Sequence, residues 1–382
     1  MKRICYIVDG INFVGGAHVA TANLLAALER RGCAVDVLTD EDPTAWTRGR
    51  FSNLAIRRWT WPSGWFARNA FLAYRLMTRS CRYPDWMIDR SGAIRSLLSD
   101  YDCVCVMSEC SPLRGLVSRL PSRIRKVQMI HTDYAVWRRA SRFTRLCTRG
   151  DGELYQAFDA VAVVGAANAE AFASLYPELR SKTRAFRNLL DVREPIVRRK
   201  PSGRIRIVTV SRCDEVQKAS SRAVRIACRL LRAGVDLDWT FIGSGYEALA
   251  KEVADSGFAS RIHFPGVAQN PSAELGRYDL MALLSRFEGV PMVVCEALMA
   301  GLPVVATAVG GLAELVAEGR SGWLLPDDEE SIVSAMTGIL RGRRLDELGP
   351  IGLAYDHEAV LRVHLELLGL SPDRSSNGDG MV

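Results

Sequence analysis

Apolar runs of strand length alternate along this chain with longer segments whose apolar residues recur at helical spacing, which predicts layered α/β structure with parallel sheets. In the first half, Ile4–Val8, Ala34–Leu38, Cys103–Met107, Val127–His131 and Ala160–Val164 read as strands. Helices fit at Ala17–Arg31, Phe66–Arg79, Asp85–Leu98 and Asn168–Leu175. The pattern restarts near residue 200. Strands then fit at Ile205–Val210, Asp238–Ile242, Ile262–Phe264, Leu280–Leu284 and Pro303–Thr307, and helices at Ser220–Ala233, Tyr246–Ser256, Met292–Ala300 and Glu329–Leu340. Between the halves, Asp191–Gly203 is polar and basic and carries two prolines, which suits a linker. The predicted organisation is a domain over 1–190, a linker over 191–203 and a domain over 204–355. A closing helix within 356–370 and a polar, disordered tail over 371–382 complete it.

Composition narrows the class. With 382 residues, nearly half of them hydrophobic, the chain can build two ordinary cores. No run of about 18 uncharged apolar residues is present, so no membrane-spanning helix is predicted. Asp9 interrupts the first apolar run too early for a secretory signal, and a first strand fits better. The ten cysteines are scattered without a C-x-x-C pair, which suits reduced thiols in a cytosolic protein. The net charge of +7 is unevenly placed. Trp46 to Arg90 carries nine arginines against two aspartates, interleaved with tryptophans, and Arg119 to Arg149 carries nine basic residues against Asp133 alone. Such a face could meet nucleic acid, an anionic membrane or a phosphate-bearing substrate. The same residues could equally be solvated arginines over an aromatic core.

The most informative segment is Ser285–Val316, SRFEGVPMVVCEALMAGLPVVATAVGGLAELV. It reads as a strand end, a tight turn, a short helix and a second strand. Glu288 precedes the helix and Glu296 lies within it, eight positions on, so both carboxylates can face one way. The first-turn N–H groups after Gly289 and Pro291, at Met292 and Val293, would attract phosphate. Carboxylates accept hydrogen bonds from sugar hydroxyls. The ligand implied carries both phosphates and hydroxyls.

Other loops add to this. Arg212 and Lys218 flank a loop after the first strand of the second half and could converge on one anion. Gly243 and Gly245 follow the next strand. In the first half, Gly15 and Gly16 sit between a strand and a helix, where a ligand can approach closely. The loop GINFVGGA is not the dinucleotide fingerprint, so a nicotinamide cofactor is not favoured. His131 ends an apolar strand, where open α/β sheets bind ligands.

The run Glu288-Gly289-Val290-Pro291 to Glu296, then Glu-Ala-x-x-Ala-Gly-x-Pro, then Gly310-Gly311, resembles the E-x7-E region of family 4 retaining glycosyltransferases. The resemblance implies the GT-B architecture, two Rossmann-like domains facing each other across a cleft, with the last helix crossing back to the first domain. It implies transfer of a hexosyl group, with retention, from a nucleotide diphospho-sugar to a glycan or lipid-linked acceptor. A UDP-sugar is favoured. Arg212 and Lys218 would hold the diphosphate, Glu288 the sugar and Glu296 the ribose. Gly243, Gly245 and Phe264 would lie near the nucleotide. Gly15 and Gly16 would belong to the family's glycine loop, and His131 would touch the transferred sugar. The family often has Glu two residues after the glycine pair, where His18 stands, and Gly where Ser211 stands. No cofactor, metal or nucleic acid is implied. A cytoplasmic enzyme of cell-surface polysaccharide assembly, peripheral at the membrane's inner face, is the expectation. The alternatives are a catalytically silent GT-B partner subunit and a sugar-nucleotide epimerase.

Overall fold

A computed structural model describes residues 2–12, 15–51, 54–60, 69–70, 73–74, 77–78, 83–190, 203–268, 270–342, 345, 348, 351, 353 and 355–371. Two compact units emerge, Met1–Leu189 with Asp356–Val382, and Leu190–Tyr355. Most of the linker at 191–203, most of the helix at Phe66–Arg79 and nearly all of the tail lie outside the described residues.

The first unit is built on β1 (Arg3–Ile7), β2 (Ala34–Thr39), β3 (Ala55–Arg58), β4 (Cys103–Val106), β5 (Arg125–Ile130), β6 (Ala160–Val164) and β7 (Thr183–Phe186). Their order in the sheet is β3-β2-β1-β4-β5-β6-β7, all parallel. Strands β4 and β6 are buried along their whole length, as parallel strands covered on both faces must be. The second unit carries β8 (Ile205–Val210), β9 (Leu237–Ile242), β10 (Ile262–Gly266), β11 (Leu280–Leu283), β12 (Val304–Thr307) and β13 (Gly322–Leu325). Their order is β10-β9-β8-β11-β12-β13, again all parallel. Alternation splits β8 between two cores, with Ile205 and Ile207 on one face and Val208 on the other. Both units are Rossmann-like, and the α/β class read from the apolar pattern is the one observed.

One helix expected from the sequence is two. Asp85–Leu98 breaks into Asp85–Ile88 and Ala93–Leu98. Gly92 adopts φ 73°, and the Asp89 carboxylate takes the N–H groups of Ile94 and Arg95 at 3.0 and 2.7 Å. A short acidic side chain that captures first-turn donors starts a new helix instead of continuing the old one.

The helix His357–Leu367 packs within the first unit. Arg125 Nε donates to the Leu367 carbonyl at 2.6 Å, and His364 Nε2 meets the Arg187 carbonyl at 2.9 Å. The His364 ring also lies edge-on to Phe186, with centroids 5.3 Å apart. Burial pushes the His364 imidazole down to about 4, so the neutral ring is the native form. Its stabilising contribution is complete above the unfolded-state value near 6.5 and is lost as the pH falls toward 4. Urea unfolding between pH 7.5 and 4 should therefore show a loss that His364→Gln reduces by about 3 kcal/mol. An identical pH profile in the variant would remove His364 as the source.

Candidate functional site

Sheet pairing decides which loops of the second unit meet. Strand β8 lies between β9 and β11, so the loops at their carboxyl ends emerge side by side. These are the loops at 211–218, 243–245 and 285–291. Two close backbone approaches hold them together. A Cβ on Gly243, where φ is 152°, would lie 1.9 Å from the Ser211 carbonyl oxygen. A Cβ on Gly311 would lie 2.4 Å from the Gly289 carbonyl oxygen, which already accepts the Gly311 N–H at 2.9 Å. Only glycine fits either place. Cys213 N–H donates to the Ser244 carbonyl at 2.8 Å and completes the contact between the first two loops.

Lys218 and Glu288 form an ion pair across two of these loops, Nζ to Oε1 at 2.6 Å, with side chains 15% and 4% exposed. Ser285 Oγ donates to the same Oε1 at 2.6 Å, and Gln217 Nε2 to Oε2 at 3.3 Å. Arg212 Nη2 bonds Asp214 Oδ2 and Gln217 Oε1, each at 3.1 Å. The Asp214 carboxylate also accepts Gln217 N–H at 2.6 Å. Ala219, next to Lys218, is the one non-glycine residue with positive φ among the described residues, at 50°. This strained, buried alanine begins the helix Ser220–Arg232 and aims the loop before it.

The helix Met292–Met299 starts at Pro291, which supplies no side-chain cap. The N–H groups of Met292 and Val293 lie in a first turn, where a helix has no acceptor of its own. The side chains of Val290 and Met292 are buried, so this turn offers a ligand its backbone. Glu296 is half-buried on the same helix and accepts Ser272 Oγ at 2.7 Å. The Phe264 ring packs on Phe241 and Tyr246, with centroids 5.4 and 5.5 Å away. Arg212, Lys218 and Glu288 thus lie in one bonded cluster. Gly243 and Gly245 adjoin it through the 211–213 loop.

Gly15, Gly16 and His131 belong to the first unit. Gly15 caps the helix Gly16–Arg30 with extended backbone. His131 follows β5. Its ring is edge-on to Phe186 at 5.1 Å, and burial pushes its imidazole down to about 3. Gln217, Asp214, Ser285 and Ser272 escaped the sequence reading. Ser285 carries a local signal, three positions before Glu288. Ser272 carries none, since it lies 24 positions from Glu296.

Truncating one member of a buried pair strands the other's charge. Lys218→Met should cost the protein about 3–5 kcal/mol in urea unfolding. Adding Glu288→Gln should restore part of that loss, with a coupling of about 1–3 kcal/mol. Strict additivity in the double variant would show that the two do not act as a pair.

Comparison with known proteins follows this geometry. Residues 204–342 match the family model described as glycosyl transferases group 1, and residues 14–194 match that of glycosyltransferase family 4. The amylovoran biosynthesis glycosyltransferase AmsK of Erwinia amylovora is 32% identical over 145 residues, 35% of this chain and 35% of that protein. The Vi polysaccharide biosynthesis protein VipC/TviE of Salmonella typhi is 36% identical over 106 residues, 27% of this chain and 18% of that protein. The chain therefore aligns with 18–35% of the length of these two relatives. The solved structure of Anabaena Alr3699/HepE with UDP-glucose superposes with a TM-score of 0.70 at 16% identity, covering 96% of this chain and 98% of that one. At that identity the likeness shows the fold. With family models on both units and this fold, the chain belongs to the GT-B glycosyltransferases.

Proposed function

We propose that the protein transfers a hexosyl group from a UDP-sugar to a hydroxyl of a glycan or lipid-linked acceptor, with retention, in cell-surface polysaccharide assembly. The observation that carries the reading is the cluster at the carboxyl edge of the second sheet. There Arg212 and Lys218 stand beside an uncapped helix start, and glycines bring the backbone close. Cations and free N–H groups suit a diphosphate, and they matter most where negative charge develops on the leaving group. The HepE structure holds UDP-glucose, and the relatives are named for amylovoran and Vi polysaccharide, which supports both donor and pathway class.

In this reading Lys218 and Arg212 neutralise the leaving diphosphate. Glu288 keeps Lys218 in place and turns toward the sugar hydroxyls, and Glu296 takes the ribose. His131 contacts the transferred sugar. The leaving diphosphate itself accepts the acceptor's proton on the front face of the sugar. Arg212→Ala and Glu296→Ala should each keep the fold and lower transfer by on the order of a hundredfold, the loss of a charged contact of about 3 kcal/mol. Mass spectrometry with a panel of nucleotide sugars reads the rate, and NMR of the new linkage should show the donor's anomeric configuration. Full activity in both variants would remove this site, and an inverted anomer would overturn the mechanism.

A peripheral position at an anionic membrane has its own support. Val136 and Phe143 are 45% and 47% exposed, among the exposed arginines Arg139, Arg142 and Arg145. Trp86 is 66% exposed, whereas Trp59 is core at 3%. No helix among the described residues is long and apolar enough to cross a membrane. Arginine is worth about 1 kcal/mol near an anionic surface. Liposome flotation should show binding that needs anionic lipid and weakens with salt, since screening acts within about 10 Å at 0.1 M. Protein that stays unbound at low salt would end the membrane reading and leave the transferase reading standing.

A further inference from the structure

The first unit has a second group of polar residues, of which the donor chemistry uses His131 alone. Its sheet order, β3-β2-β1-β4-β5, reverses direction between β1 and β4. Open α/β sheets bind ligands in the crevice at such a switch point, beyond the carboxyl ends of the strands. Asp9 leaves β1 there and Glu109 leaves β4. Asp40 leaves the neighbouring β2, and His131 leaves β5.

These four differ in how they are satisfied. Asp40 Oδ1 accepts the Gly10 N–H at 2.8 Å, and Glu109 Oε1 accepts the His131 N–H at 3.2 Å. Among the described residues, both carboxylate oxygens of Asp9 and both ring nitrogens of His131 are shielded from solvent without a hydrogen bond of ordinary geometry. Ser111 lies alongside Asp9 and Asn188 alongside His131, neither closing a bond of ordinary geometry. Arg114, whose charge acts on Asp9, is committed to Asp151 at 3.0 Å and to Tyr155 at 2.8 Å. A buried carboxyl without a hydrogen bond is costly, so its retention points to a role at the site.

We infer that Asp9, at the switch point of the first sheet, is a binding residue that seats a hydroxyl of an uncharged saccharide acceptor. The inference rests on the transferase reading for the role of that saccharide. A carboxyl group whose charged neighbours are another carboxylate and an arginine committed elsewhere disfavours a phosphate and accepts a hydrogen bond from a hydroxyl. A neutral imidazole nearby can donate or accept in turn. Burial, opposed by the neighbouring Ser111 hydroxyl and by Arg114 and reinforced by Asp40, pushes the Asp9 carboxyl up to about 7. Burial also keeps the neighbouring His18 imidazole below its usual value. Asp9 and Glu109, each pushed up to about 7 by burial, therefore carry only part of a charge near neutral pH, and a saccharide hydroxyl can bond either form of a carboxyl.

The test uses the full chain. Saturation-transfer NMR with methyl glucosides, galactosides and mannosides reads the acceptor side, and calorimetry with UDP reads the donor side. Asp9→Asn and Asp9→Ala should weaken the best glycoside at least tenfold and leave the UDP Kd within twofold. A carboxyl whose folded value is raised costs stability as the pH rises toward 7. Asp9→Asn should therefore melt higher than the wild type, and by more at pH 8 than at pH 5. A structural aspartate would show the reverse, so a lower melting temperature for Asp9→Asn overturns the inference. Unchanged glycoside binding in both variants, or no glycoside binding to the wild type, overturns it as well. Glycoside binding that depends on Asp9 in a chain that does not bind UDP would support the seat and count against the transferase reading.

Discussion

The parallel pairing of β8 with β11 governs the second unit's chemistry. It sets Leu280 against Ile207 and Met281 against Val208. The loops after Val210 and Leu283 must then leave the same edge together. From that follows the Lys218–Glu288 ion pair, and the pairing of β11 with β12 adds the approach of Gly311 to the Gly289 carbonyl beside the uncapped start of the helix Met292–Met299. A side chain at Gly243 or Gly311 would push the neighbouring loops apart.

The two units treat polar groups at their sheet edges differently. In the second unit the charged groups satisfy one another, since Glu288 takes bonds from Lys218, Ser285 and Gln217. Such a site is organised before a ligand arrives, which lowers the cost of binding. In the first unit the polar atoms of Asp9 and His131 are shielded without a hydrogen bond of ordinary geometry among the described residues, an arrangement that costs stability until something else completes it. The loop after His131 is nevertheless firmly held. Tyr134 donates to Asp151 at 2.6 Å, and Asp151 is paired with buried Arg114 at 3.0 Å.

Much of the fold was readable because parallel strands buried on both faces leave continuous apolar runs. Ala160–Val164 and Ile205–Val210 appear in the structure with the bounds read from sequence. Strands β3, β7 and β13 escaped because Ala55–Arg58 and Thr183–Phe186 are half-polar edge strands and Gly322–Leu325 opens on a glycine and holds only three apolar residues. The break at Gly92 escaped because Asp89 acts on donors five and six residues ahead, beyond what an apolar period reports.

By itself, the sequence determined the alternation of strands and helices, the glycine turns at strand ends and the placing of Glu288 and Glu296 around one helix start. Those features are local, set by side-chain period and backbone freedom within a few residues. Tertiary structure alone decided that Lys218 meets Glu288 across 70 positions and that Ser272 meets Glu296 across 24. It alone left the Asp9 carboxylate shielded without a hydrogen bond of ordinary geometry among the described residues. Each of these outcomes depends on which strands lie side by side, and strand order is a property of the whole sheet that no short stretch of sequence encodes.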